Sequence, residues 1–180
     1  IMASTRENKT ISNFKAALIG GGARPNLFEV ELTTLPAGIT WDSDNFRYMC
    51  KAAQLPASTV ANIDVPFRGR IFKVAGDRTI DQWSITVIND EGFRLRNAFE
   101  EWVDLIAKLD NNLGATDPTA YMTNAKVFQL GRGSSPQSQT NAGSANAVLK
   151  EYEFIDIFPT TVSAIDLSYD STDAIEEFTV

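Results

Sequence analysis

The chain has 180 residues, 43% of them hydrophobic and 22% charged, with a formal net charge of −7. That length fits one domain with a sizeable core, and the negative balance argues against a surface that holds nucleic acid by neutralising phosphates. No histidine and a single cysteine, Cys50, are present. This excludes Ser-His, Cys-His and His-metal chemistry, a cysteine-rich zinc site and an intramolecular disulfide. The expectation is a non-enzyme with no catalytic residue, no metal, no cofactor and no small-molecule ligand.

In chain order, residues 1–22 read as an N-terminal arm with a short helix that ends at Gly20-Gly21-Gly22. These glycines lack the Lys-Ser/Thr ending of a phosphate-binding loop and suit a helix C-terminus. Phe28, Val30 and Leu32 alternate with Glu29 and Glu31, the period of a half-buried strand. Phe46, Tyr48 and Cys50 alternate with Arg47, Met49 and Lys51, which predicts a second strand with Cys50 turned to the core. Ile63, Val65 and Phe67 alternate with Asn62 and Asp64. Strands are also predicted over 70–75 and 80–88, the latter with Trp83, Ile85 and Val87 on one side. Gly76-Asp77-Arg78 between them reads as a turn.

One helix is predicted over 91–109. Leu95, Phe99, Trp102, Ile106 and Leu109 recur at steps of three and four, the spacing of one buried stripe. Asn89 and Asp90 offer capping oxygens, and 111–114 supply the stop. Further strands follow over 125–130, 148–158, 164–169 and 175–180. The polar tract 131–147 reads as a long hairpin tip. Glu100/Glu101 and Glu176/Glu177 are sequence neighbours whose side chains diverge, so neither pair makes a carboxylate dyad. The pattern predicts a single, mainly β domain over 1–180: an antiparallel β-sandwich or barrel with one flanking helix.

Several runs are similar to segments of a known family. They are 22–31 (GARPNLFEVE), 50–56 (CKAAQLP), 74–91 (VAGDRTIDQWSITVINDE), 158–167 (FPTTVSAIDL) and 175–180 (IEEFTV). They occur in family order, and the chain resembles the tail tube proteins of contractile-tailed bacteriophages. The resemblance implies a hexameric ring in which each subunit adds two long hairpins to a continuous inner barrel. Those hairpins would be 45–53 with 60–74, and 124–130 with 147–158. Strand spacing and tilt then give a backbone radius of roughly 26 Å, wide enough for duplex DNA.

With the apolar sides of these hairpins turned to the core, the opposite sides face the lumen. That assigns Arg47, Met49, Lys51, Asn62, Asp64, Gln129, Glu151 and Glu153 to the channel. Arg24, Asp77, Arg78, Arg132 and Gln137 become candidates for contacts between subunits or stacked rings. The implied partners are further copies of the chain, the tail sheath protein, baseplate or tube-initiator and terminator proteins, and a tape measure protein in the lumen. Double-stranded DNA would pass through transiently. The implied location is the virion tail, after synthesis in the host cytoplasm. A related contractile injection tube, from a bacteriocin or secretion system, shares this architecture. A tail-tip carbohydrate- or receptor-binding sandwich would instead display aromatics, for which Trp41 is the candidate.

Overall fold

The computed structural model describes residues 10–18, 22–111, 113–131 and 147–180. Strands dominate, and the pairings β1/β6, β2/β5, β3/β4 and β5/β8 defined below are all antiparallel. The chain divides into two compact units, Ile1–Thr33 with Asn124–Ile155, and Thr34–Thr123 with Asp156–Val180.

The first unit holds helix α1 (Ile11–Ala17) and a three-stranded sheet. In that sheet β6 (Thr123–Leu130) lies between β1 (Phe28–Leu32) and β7 (Val148–Ile157). Thr10 caps α1 by accepting the Asn13 N–H. Val30 sits opposite Val127, and Leu32 opposite Ala125. These four side chains are buried, as the alternation in β1 requires. Gly131 and Ala147 are joined by a backbone hydrogen bond of 2.7 Å. The polar tract between them, with Arg132 and Gln137, lies outside the described residues.

The second unit begins with a departure from expectation. Residues Ser43–Met49 form helix α2, and strand β2 starts only at Cys50, running to Gln54. Asp42 caps the helix by accepting the Asn45 N–H at 3.1 Å, with Asp44 in the first turn and Arg47 in the last, both charges favourable to the helix dipole. Phe46 and Cys50 are buried while Tyr48 is 85% exposed. A spacing of four is two strand periods and also one helical turn, so only Tyr48 separates the two readings. The predicted strand over 46–49, and the hairpin built on it, are therefore replaced by a helix.

The pairing partner of β3 (Ser58–Phe67) is β4 (Arg70–Ile80), a single strand across the position expected to turn. Val60 faces Arg78 while Asn62 faces Ala75, so β4 carries one extra residue at Gly76-Asp77. That is a β-bulge, not a turn. A Cβ on Gly76 would sit 3.1 Å from the Ala61 carbonyl oxygen, a tight approach that a side chain there would have to push apart by a few tenths of an ångström. Arg68 and Gly69, both at positive φ, make the two-residue hairpin turn whose twist suits antiparallel strands.

β5 (Ser84–Ile88) is the central strand between β2 and β8 (Glu177–Thr179). The core of this unit gathers Phe46, Ile85, Val87, Phe178 and one face of α3 (Arg94–Ile106). On α3 the buried residues are Leu95, Ala98, Phe99 and Trp102. The Phe99 ring lies within 6.3 Å, centroid to centroid, of Trp41, Phe46, Trp102 and Phe178. Trp102 also donates its indole N–H to the Tyr121 carbonyl at 2.7 Å, in the short α4 (Pro118–Tyr121).

Asp90 accepts the Arg94 N–H, but the N-cap position is Phe93, in the left-handed region and without a side-chain cap, so α3 starts at Arg94 rather than at 91. Asn89 is buried and instead donates its amide to Glu176. The helix stops earlier than predicted, and Leu109 is 92% exposed. A Cβ on Gly114 would collide with the Ile106 carbonyl, so glycine lets the chain fold back against the helix end. The predicted strand over 164–169 has no pairing and is not a strand.

Candidate assembly surface

The β3–β4 ribbon leaves one whole apolar face uncovered. The register places Ile63, Val65 and Phe67 on one face with Phe72 and Val74. All five are exposed, Phe72 by 67%. The opposite face carries Asn62, Asp64, Lys73 and Ala75, with the pair Pro66 and Ile71 next to the turn. The ribbon is thus amphipathic, yet among the described residues it forms a two-stranded sheet of its own with no further strand on either edge. An isolated ribbon of this kind is marginal in water, and its unpaired edge amides and carbonyls invite further strands.

A second surface lies on the three-stranded sheet of the first unit. Glu29 and Glu31 in β1 occupy the face of Lys126 and Phe128 in β6, opposite the side of Val30 and Val127. From β7, Glu151 lies 2.7 Å from Lys126 Nζ and Glu153 lies 4.0 Å from it. One lysine therefore stands among four glutamates. The hydrogen bond to Glu151 raises the Lys126 pKa above its usual value, with the charges of Glu151, Glu153 and Glu31 adding to it. In composition this face is acidic and its single cation is neutralised in place.

Asn62 and Asp64 share the polar face of the ribbon, and Glu151 and Glu153 share the face of Lys126. Gln129 is not with them. It sits on the Val127 side of β6 and donates its amide to the Arg24 and Leu27 carbonyls at 2.7 and 2.8 Å. Arg47 and Met49 lie on helix α2 rather than on a strand, so the alternation that grouped them with Lys51 does not apply. Lys51, in β2, is paired with Glu177.

Among the residues considered for contacts between subunits, Asp77 is in the β4 bulge and Arg78 donates from Nε to Ser58 Oγ. Trp41 packs on Phe46 and Phe99, at 5.0 and 5.6 Å between centroids, and is not a displayed aromatic. The sequence reading missed Lys126, Glu29, Glu31 and Lys73. Counting alternate positions across three adjacent strands would have found the first three, but that count needs the strand order. Cys50 is buried, and burial pushes its thiol pKa up to about 12.

Fold and surface together define a β-rich structural protein whose longest ribbon has unclosed edges and an uncovered apolar face. The sequence matches the model of the family "Phage tail tube protein" over residues 23–180. It is 38% identical over 161 residues to the tail tube protein gp19 of Enterobacteria phage T4, covering 89% of this chain and 88% of that protein. Identity to the tail tube protein gp19 of Enterobacteria phage T6 is 37%, with the same coverage. The tail tube protein of Serratia phage KSP90 is 22% identical over 173 residues, or 94% of this chain and 91% of the relative. Among solved structures, the sheath–tube complex of the extracellular contractile injection system PVC, in its extended state, aligns with a TM-score of 0.49 at 14% identity. That alignment covers 96% of this chain and 93% of the other. The chain belongs to the phage tail tube protein family.

Proposed function

We propose that this chain is the repeating subunit of a phage tail tube. Its copies close into hexameric rings that stack into a hollow conduit for double-stranded DNA. The two compact units act together as one tube subunit, and the protein is a structural component of the virion with no catalytic role. The β3–β4 ribbon and the β6–β7 pair each give two strands to a continuous inner barrel. Closure of that barrel removes the free edges that the isolated chain exposes.

The observation that carries this reading is the amphipathic ribbon. Its apolar face needs a protein surface, whereas its polar face, with Asn62 and Asp64, suits a water-filled channel. The Glu151 and Glu153 face serves the same channel. Duplex DNA binds through clustered Lys and Arg, so an acidic wall with its lysine already paired lets DNA pass without holding it. On the outside, a tail sheath protein surrounds the tube. Initiator and terminator proteins bound its two ends, and a tape measure protein fills the lumen before ejection.

Electron microscopy of concentrated, negatively stained protein tests the reading. Hollow tubes with a stain-filled channel and sixfold end views are expected. Monomers at the same concentration, or solid fibrils, would contradict it.

A further inference from the structure

Two exposed surfaces of the second unit carry apolar side chains and opposite charge. One is the tip of the β3–β4 ribbon. Phe67, Ile71 and Phe72 are exposed there. The stretch Phe67–Lys73 holds three cations, Arg68, Arg70 and Lys73, and no acid. Arg68 lies over the Phe67 ring at 5.5 Å, which keeps cation and apolar surface together at the tip.

The other surface is the excursion between Ser163 and Glu176. It leaves the side of β8 at Ser163, whose N–H donates to the Thr179 carbonyl at 2.8 Å. It turns at Ser168–Ser171 and returns at Glu176, whose carbonyl accepts the Asn89 N–H at 2.9 Å. Leu167, Tyr169 and Ile175 project from it exposed, and Asp166, Asp170 and Asp173 lie among them. From Glu151 to Val180 there is no lysine or arginine. The strand-like period of 164–169 thus exists without a strand, with Leu167 and Tyr169 in water.

Both surfaces are exposed in one and the same chain, so neither covers the other there. We propose that the ribbon tip of one copy docks on the 164–175 excursion of the next. Phe67 and Phe72 cover Leu167 and Tyr169, while Arg68 and Arg70 face Asp166 and Asp170. The contact is heterologous: each copy keeps one free tip and one free excursion, so it propagates from copy to copy, the geometry that makes rings or filaments. Its place in a tube rests on the function proposed above, whereas the contact itself rests only on the two surfaces.

Complementation by mixing tests it. Arg68→Glu with Arg70→Glu makes both surfaces of a chain acidic, and Asp166→Lys with Asp170→Lys makes both basic. Each variant alone is expected to lower the assembled fraction in low-salt sedimentation about tenfold. An equal mixture of the two should recover it, because every contact between unlike chains is again opposite in charge. Either variant assembling like the parent, or a mixture no better than its components, overturns the contact. A covalent readout covers any variant that folds poorly. Oxidation of a chain carrying both Arg70→Cys and Asp170→Cys should give a ladder beyond dimers, while either single substitution stops at dimers. A missing ladder overturns the proposal. Parent protein that assembles without forming hollow tubes, with complementation intact, would remove the tube reading and keep the contact.

Discussion

Ile85 and Val87 in β5 alternate with polar neighbours, and so do Ile63 and Val65 in β3. The first pair is buried, on a strand between β2 and β8, and the second is exposed. Both segments have the period and the β-branched residues of a half-buried strand. What separates them is the supply of covering elements. β5 is the middle of three strands with an aromatic helix against its region, whereas among the described residues β3 has only β4. Alternation therefore announces a face that must be covered, and says nothing of whether the same molecule covers it.

The largest expected effect lies in the covered region. Trp102 is buried, and its indole N–H is bonded to Tyr121, so Trp102→Ala should cost about 3–5 kcal/mol. A thermal or denaturant melt reads this, and a curve superimposed on the parent's would break the comparison at its stable pole.

Cys50, in the same core, should show the next effect. Its folded pKa is raised by burial from 9.0 to about 12. The unfolded state therefore loses its proton first as pH rises. The thiol's contribution is fully present below about 9 and is lost through the folded pKa, at about 1.4 kcal/mol per pH unit. Chemical melts from pH 8 to 11 should fall more steeply for the parent than for Cys50→Ala, and equal slopes would place the thiol in water.

The uncovered ribbon should behave in the opposite way. Phe72→Ser is expected to change the melt of dilute protein by less than about 0.5 kcal/mol while removing the assembled fraction in sedimentation. A large loss of stability in the dilute chain would mean that Phe72 is already covered there.

A small effect on stability is also expected at the acidic face. Glu151→Lys with Glu153→Lys should shift the melt by less than about 1 kcal/mol, because the ion pairs with Lys126 are solvent-exposed. Phage carrying the two changes should eject DNA more slowly, most of all at low salt, where screening is weakest. Intact tails with unchanged ejection at low ionic strength would take these residues out of the channel.

Much of this was legible in the sequence, for identifiable reasons. The α3 stripe is long enough for its period to exclude a strand, so Leu95, Phe99 and Trp102 were placed correctly. Its end was not, because Leu109 continues the period past the point where Gly114 turns the chain back. Phe46 and Cys50 misled because their spacing suits both structures. The cap at Asp42, which binds Asn45 three residues on, was the available signal for a helix. At Gly76 a bulge and a turn ask for the same residue, and only the partner strand decides. Among the site residues, the pairs at 62/64 and 151/153 followed from period alone. Lys126 beside the two glutamates depends on which strands are neighbours, which a single sequence does not encode locally.

Amide hydrogen exchange, compared between dilute and assembled protein, tests the central claim most directly. In the dilute chain, β3 and β4 should exchange fast and β5 slowly. Assembly should slow β3 and β4 by about a hundredfold or more and leave β5 nearly unchanged. Equal protection of β3 and β4 in the two states would contradict the claim that the ribbon is completed only by other copies of the chain.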